Sequence, residues 1–165
     1  TNAYRTMGAG KTLLVLFGDI AKAAAALAIG GVLAGMMGKL VAGIFVILGH
    51  VFPVYFGFRG GKGVLVGATM LVFLDWRIFL VALVLFVIAV ALTRWVSLGS
   101  ILGAISFPIT MQVFYGDARL SVVAALMAAA VVFMHRSNIK RILSGTENRF
   151  SFHSKPQIHD DADQK

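Results

Sequence analysis

Ile78-Phe79-Leu80-Val81-Ala82-Leu83-Val84-Leu85-Phe86-Val87-Ile88-Ala89-Val90-Ala91-Leu92 is apolar at every position. A strand of an outer-membrane barrel alternates between lipid-facing and lumen-facing residues, and this run has no period of two. An uncharged run of this length approaches the ~20 residues with which a helix spans the hydrocarbon core of a bilayer. The rest of the chain shares the bias. Of 165 residues, 59% are hydrophobic, and the mean hydropathy is +0.88. Charged residues make up 13%, about half the share of a soluble domain. The sequence therefore reads as an all-α integral membrane protein, one compact helical bundle.

Outward from that run, six apolar segments are legible, at roughly residues 13–37, 40–56, 64–74, 78–92, 101–114 and 120–134. The third is barely half a bilayer long, which calls for tilt, extended ends or a re-entrant path. The connections are short: Gly38-Lys39, a glycine-rich loop, Asp75-Trp76-Arg77, Thr93 to Ser100, and Tyr115 to Arg119. Short links make neighbouring helices antiparallel. Charge then sorts the links onto two sides. Arg5, Lys11, Arg59, Lys62, Arg94, Arg136, Lys140 and Arg141 fall on one, and Lys39, Arg77 and Arg119 on the other. The positive-inside rule makes the first side cytoplasmic and places both chain ends there.

The formal charge of +8 is thus a property of span flanks, and no nucleic-acid partner is expected. The chain has no cysteine, so disulfides and cysteine-ligated metals are excluded, and nothing in it requires a metal or a cofactor. It opens on Thr1 with no cleavable signal peptide visible, and reads as a shortened start. A membrane domain is expected over residues 1–148 and a polar, mobile cytoplasmic tail over 149–165. Gly31-x-x-x-Gly35, Gly63-x-x-x-Gly67 and Gly99-x-x-x-Gly103 read as close helix-packing positions.

The strongest local signal for chemistry is the stretch from Gly49 to Gly63, Gly-His-Val-Phe-Pro-Val-Tyr-Phe-Gly-Phe-Arg-Gly-Gly-Lys-Gly. Glycines free the backbone so that N–H groups can converge on one centre, and Arg59 and Lys62 add charge. Gly60, Gly61 and Gly63 around Lys62 suit an anion such as a phosphate better than a plain turn would require. A Walker A loop is excluded. Arg5 stands where Gly10-Lys11-Thr12 would need its first glycine, and Phe56 stands there for Lys62.

Further polar residues gather on the same side. His50 and Pro53 close the second span; a histidine in an apolar segment either makes a structural hydrogen bond or takes part in chemistry, and Pro53 is expected to kink the helix towards the loop. Asp19 and Lys22 share a helix face as a neutralising pair or a functional one. Ser97 and Ser100 offer hydroxyls for a polyol or phosphate, unless Ser97 only caps the fifth span. After the last span, His135 and Asn138 share a face if the helix continues, with Arg141 a turn further. Gly145 is a plausible terminator, and Glu147 lies just beyond it. A basic juxtamembrane segment touching anionic lipid accounts for the cations here but not for His135, Asn138 and Glu147.

Taken together these motifs resemble the bacterial acyl-phosphate-dependent glycerol-3-phosphate acyltransferases, the PlsY family. Gly49-His50-x-x-Pro53 through Phe58-x-Gly60-Gly61-Lys62-Gly63 is similar to the family's central motif. His135-x-x-Asn138-Ile139-x-Arg141-x-x-x-Gly145-x-Glu147 is similar to its C-terminal motif, and Thr1-Asn2-Ala3-Tyr4-Arg5 to the end of its N-terminal one. Ser97-Leu98-x-Ser100-Ile101 and Asp19/Lys22 are also family-like. The residues that open the N-terminal motif, and the first of the family's seven spans, are absent. The expectation is six spans and a shortened chain that is inactive or poorly stable by itself.

The resemblance implies transfer of a fatty acyl group from acyl phosphate to the 1-hydroxyl of glycerol 3-phosphate in a bacterial cytoplasmic (inner) membrane, yielding lysophosphatidic acid and phosphate for phospholipid synthesis. Its partners are those two substrates, the lipid bilayer, and the enzyme that makes the acyl phosphate. Catalytic roles fall to Lys62, His135, Ser100 and Asn138, with substrate contacts from Arg5, His50, Arg59, Gly60, Gly61, Gly63, Ser97, Arg141 and Glu147. The general base is either His135, His50 or the acyl phosphate's own oxygens. The rival reading is a transporter or channel for an anionic solute, which needs its polar groups near the bilayer midplane.

Overall fold

The computed structural model of the chain describes residues 2–58 and 60–150, the side chains of residues 2–9, 11 and 56 excepted. Arg59, the side chain of Arg5 and the expected tail from residue 151 onward lie outside the described residues. The elements are α1 (Asn2–Val51), a 3₁₀ turn (Val54–Phe56), α2 (Val64–Leu74), α3 (Trp76–Thr93), α4 (Val96–Tyr115), α5 (Ala118–Met134) and α6 (Arg136–Leu143). All six apolar segments of the sequence are helical.

The first two segments share α1, which doubles back on itself. Residues 19 and 50 of a straight helix would lie ~46 Å apart at 1.5 Å per residue, yet His50 Nδ1 is 3.2 Å from Asp19 Oδ1. Gly35 makes the reversal with a φ of +56°, a left-handed conformation that costs a residue with a Cβ roughly 1–2 kcal/mol. Gly30 and Gly38 let the arms touch. A Cβ on either would fall on the other's carbonyl oxygen.

The expected turn at Gly38-Lys39 is therefore moved to Gly35. Lys39 lies in the second arm, where its Nζ donates to the Phe73 carbonyl at 2.9 Å. That carbonyl belongs to the last turn of α2, which has no intrahelical donor to satisfy it.

Pro53 does not kink α1. The helix ends at Val51, and Pro53, with φ of −69°, leads into the 3₁₀ turn, because its ring cannot continue the hydrogen-bonded helix.

Residues 12–51 of α1, α3 and α4 are long and apolar enough to cross a membrane, and α5 joins them if counted with α6 across a 59° bend. α2, at 11 residues, is ~16 Å long, half of a ~30 Å hydrocarbon core. It runs straight into Asp75, whose carboxylate accepts the Arg77 backbone N–H at 2.9 Å and so caps α3. Arg77 Nη2 and the Tyr115 hydroxyl of α4 donate to the same group at 2.6 Å and 2.9 Å. The side-chain hydrogen bonds from Arg77 pull the Asp75 carboxyl down to about 2. This clasp ties α2, α3 and α4 together at the end of the bundle where Gly35 turns.

α4 packs between α3 and α5, and α1 against α2 and α5. Only one of the three small-residue pairs works as a packing seam. A Cβ on Gly99 would meet Phe86, and one on Gly103 comes up against Ala82, so α3 and α4 approach closely there. Gly35 is a turn, Gly63 has φ +77° at the start of α2, and Gly67 has nothing within 4 Å. Gly43 admits Met70 of α2 and Met127 of α5 against the second arm of α1, joining the core of Leu27, Leu40, Ile47, Val66 and Met111.

Gly38→Ala is expected to cost more than ~2 kcal/mol, because backbone is what the methyl meets. Gly67→Ala should be neutral or gain up to ~1 kcal/mol of helix propensity. Thermal unfolding in detergent compares them, and equal effects would contradict the hairpin.

Candidate active site

At the end of the bundle opposite the Asp75 clasp, three connections converge. α6 stops at Leu143, and Gly145 takes φ +72°. Thr146 N–H donates to the Arg141 carbonyl at 2.8 Å and Gly145 N–H to Ile142 at 3.1 Å, the paired bonds of a Schellman ending. That turn throws Glu147 back over α6. Glu147 Oε1 accepts from Ser97 Oγ of α4 at 2.7 Å and from Asn138 Nδ2 at 2.6 Å, and Oε2 accepts from Arg141 Nε at 2.8 Å. The other face of Asn138 is used as well. Its Oδ1 accepts from Lys62 Nζ at 2.6 Å, so the glycine loop is tied to α6 across 76 residues. Phe150 N–H donates to the Arg94 carbonyl at 2.7 Å, fastening the segment after Glu147 to the α3–α4 turn.

Charge and burial set the protonation states. Burial alone would push the Glu147 carboxyl up, but hydrogen bonds from Ser97, Asn138 and Arg141 outweigh it and the net direction is down. Lys62 as a residue is open to solvent, yet enclosure of its ammonium pulls it below its usual value, Arg141 adds to this, and Glu147 opposes it. His135 sits at the 59° bend between α5 and α6 and is 2% exposed. Burial lowers its imidazole, the Val131 carbonyl resists, and the Lys62 charge lowers it further. A neutral ring with Nδ1 2.8 Å from the Val131 carbonyl carries its proton on Nδ1, which leaves Nε2 as a free acceptor.

Beside Lys62 an apolar groove opens between the end of α1 and the end of α5. Ile47, Leu48, Val51 and Phe52 form one wall, and Val131 and Met134 the other. The site thus joins a cation, a neutral imidazole and hydroxyl and amide groups to a lipid-like slot.

Residues 1–145 match the family model described as glycerol-3-phosphate acyltransferase. The chain belongs to that family. The glycerol-3-phosphate acyltransferase of Thermoanaerobacter sp. (strain X514) is 37% identical over 149 residues, which cover 90% of this chain and 75% of that protein. That of Bacillus subtilis (strain 168) is 38% identical over 147 residues, 89% and 76% of the two chains. The crystal structure of PlsY (YgiH), an integral membrane glycerol 3-phosphate acyltransferase, in its glycerol 3-phosphate form matches with a TM-score of 0.80 at 31% identity. It covers 91% of this chain and 76% of that one. Its lysophosphatidic acid form matches equally, with 78% of that chain covered. This chain is a PlsY-family integral membrane protein.

Within this glycerol-3-phosphate acyltransferase fold, Lys62, Ser97, Asn138, Arg141 and Glu147 form one bonded cluster, and His135 stands in the field of Lys62 and Glu147. Ser100 is buried one turn below Ser97, where its hydroxyl donates to the Val96 carbonyl of its own helix at 3.0 Å. Ser97 is not a cap, since α4 begins at Val96 after Trp95. His50 is not in the cluster; its Nδ1 faces Asp19 and Lys22, donating to the carboxylate or accepting from the ammonium according to its tautomer.

Two expectations change. The N–H groups of Gly60 and Gly61 do not converge on an anion, because they donate to the Val51 and His50 carbonyls at 3.1 Å and 3.3 Å. Glu147, expected to touch substrate, is occupied on both oxygens by protein donors. The Asp75 clasp escaped sequence reasoning, although Asp75 directly before an apolar run carries the signature of a helix cap.

Glu147→Gln keeps an oxygen for Ser97 and Asn138 but sets an amide N–H against Arg141. A loss of about 1–3 kcal/mol is expected at pH 7, moderated because Arg141 remains partly in solvent. Because the folded-state carboxyl is lowered, its contribution is full above its ordinary 4.5 and is lost as pH falls through the lowered value. Stability of the variant should be flatter than wild type over that acid window, as followed by thermal unfolding against pH.

Proposed function

We propose that this chain transfers a fatty acyl group from acyl phosphate to the 1-hydroxyl of glycerol 3-phosphate, giving lysophosphatidic acid and inorganic phosphate. The observation that carries the reading is Lys62. Its ammonium stands at the edge of an apolar groove, 2.6 Å from Asn138, where a lipid tail and a phosphate can be held together. The tail lies in the groove. The phosphate sits against Lys62 and the start of α2, whose first N–H groups and dipole favour an anion.

Arg141, Ser97 and Asn138, with Arg5, serve the glycerol 3-phosphate, and Arg59 joins Lys62 on the acyl phosphate. Lys62, Arg141 and Glu147 together leave a net positive site for two phosphorylated substrates. Family membership supports glycerol 3-phosphate as the acceptor, since the relatives carry that name.

In the transfer, the acceptor's hydroxyl oxygen bonds to the carbonyl carbon as the carbon–oxygen bond to phosphate breaks. The hydroxyl proton passes to His135 Nε2 and then to the departing phosphate. Lys62 offsets charge on that phosphate and on the carbonyl oxygen, the kind of preorganised electrostatic contribution that costs ~10²–10³ in rate when removed. Cations crowd the end of the bundle that holds the site, which by the positive-inside rule faces the cytoplasm of a bacterial inner membrane. The substrate then comes from an enzyme that makes acyl phosphate on that side. A transporter would need its polar groups near mid-membrane, whereas here they collect at one end.

Lys62→Ala in the full-length protein should lower phosphate release from acyl phosphate, in the presence of glycerol 3-phosphate, by at least ~100-fold while the protein still folds. Near-normal turnover would sink the assignment. For wild type, the lowered imidazole places the acid limb of kcat/KM below 6.5, and the lowered ammonium places the basic limb below 10.5. His135→Ala should lose the acid limb. A limb above 6.5, or one unchanged in the variant, would remove His135 as the base.

A further inference from the structure

We propose that His50, braced by Asp19 and Lys22, is a positioning residue for Lys62. It sets where the glycine loop crosses the end of α1, and through that where the Lys62 ammonium points. The proposal takes Lys62 as the phosphate-side cation of the acyl transfer above.

The loop is seated on His50 twice. The backbone carbonyl of His50 accepts the Gly61 N–H at 3.3 Å, while Val51 accepts that of Gly60 at 3.1 Å. The imidazole then presents its Nε2 edge to Gly61. A Cβ built on Gly61 would fall on His50 Nε2, and the next nearest atoms are also of that ring. Gly61 is not among the glycines with positive φ, which are Gly35, Gly57, Gly63, Gly116 and Gly145. Its missing side chain is therefore a matter of space, not of backbone conformation.

The ring is also held at Nδ1. Its Nδ1 lies 3.2 Å from Asp19 Oδ1 and 3.3 Å from Lys22 Nζ, and Lys22 bonds Asp19 at 2.5 Å. Both partners come from the first arm of α1, so the hairpin at Gly35 delivers the brace to the loop. An ionisable pair in an apolar hairpin is costly, and this one is spent on orienting a ring that touches no member of the Lys62–Asn138–Glu147 cluster. Lys62 is the residue directly after Gly61. A shift of the loop by an ångström would break its 2.6 Å contact with Asn138, and misplacement on that scale costs ~10²-fold in turnover.

Second-site rescue tests this against the view that Gly61 is bare so that substrate phosphate can approach. In the full-length protein, Gly61→Ala should lower kcat/KM by ~100-fold, mostly in kcat, because the methyl collides with the ring. Adding His50→Ala removes the collision. The double variant should be more active than Gly61→Ala and match His50→Ala alone. Losses that simply multiply, or a double variant worse than Gly61→Ala, would overturn the proposal.

A second readout needs no turnover. The rate at which an N-hydroxysuccinimide ester modifies Lys62, read by peptide mass spectrometry, should rise in Gly61→Ala and in the isosteric Asp19→Asn. In the double variant it should return to the rate of His50→Ala. Unchanged labelling in both Gly61→Ala and Asp19→Asn overturns the positioning role. Absence of acyl transfer in wild type, with the labelling pattern as expected, overturns the substrate reading alone.

Discussion

One buried carboxylate gathers the polar end of this bundle. Glu147 lies outside the helices, in a segment that would otherwise trail into solvent, and it takes hydrogen bonds from α4 and from two residues of α6. A charge held at that depth is tolerated only if donors surround it. The donors it recruits are the groups whose placement the site requires. Asn138 is fixed by Glu147 on one side and so presents its oxygen to Lys62 on the other. The Schellman turn at Gly145 is what makes the carboxylate's return possible.

The remainder of the architecture serves to bring the glycine loop to that carboxylate's neighbourhood. The hairpin of α1 ends at Val51 beside α5, and the short α2 departs from the same level. The loop between them therefore stays close to α6 instead of extending away from the bundle. At the other end the Asp75 clasp binds α2, α3 and α4 with one carboxylate. The two ends are built on the same device, a carboxylate shared among helices. Among the described residues, the groups suited to acyl transfer lie at the end that also carries Lys62, His135 and the apolar groove.

Much of this was legible in the sequence, and most of the parts that were not share a cause. Uninterrupted apolar runs such as residues 78–92 mark helices because in lipid the backbone must satisfy its own hydrogen bonds. The charge count of the connections sorted them onto the two ends that the structure shows. The spacing of His135, Asn138 and Arg141 placed them on one helical face, with Gly145 as its stop. Beside Pro53, Ser97 and Glu147, the misread positions were those where a glycine had several possible uses. Gly35 looked like a packing residue and is a turn, Gly38 looked like a turn and is a packing contact, and Gly60 and Gly61 looked like an anion nest and are a helix cap. Glycine carries no side chain by which local sequence could separate these roles. The choice is made by partners 8 to 11 residues earlier in the chain: Gly30 for Gly38, and the His50 and Val51 carbonyls for Gly61 and Gly60. The Asp19–His50 contact was hidden in a similar way: the short link makes the two arms antiparallel, but the residue that faces Asp19 depends on the turn lying at Gly35 and not at Gly38-Lys39.

The capping role of the loop has an electrostatic consequence. The last turn of α1 ends at the site with its carbonyl oxygens directed outwards, the negative pole of a helix. Left bare, it would repel the anion that Lys62 attracts. Gly60 and Gly61 turn their N–H groups onto the Val51 and His50 carbonyls and so quench that pole, while α2 begins three residues beyond Gly61 with its positive pole uncovered. The glycine loop acts as a rectifier between two helix ends, muting the one that opposes a phosphate and leaving exposed the one that favours it.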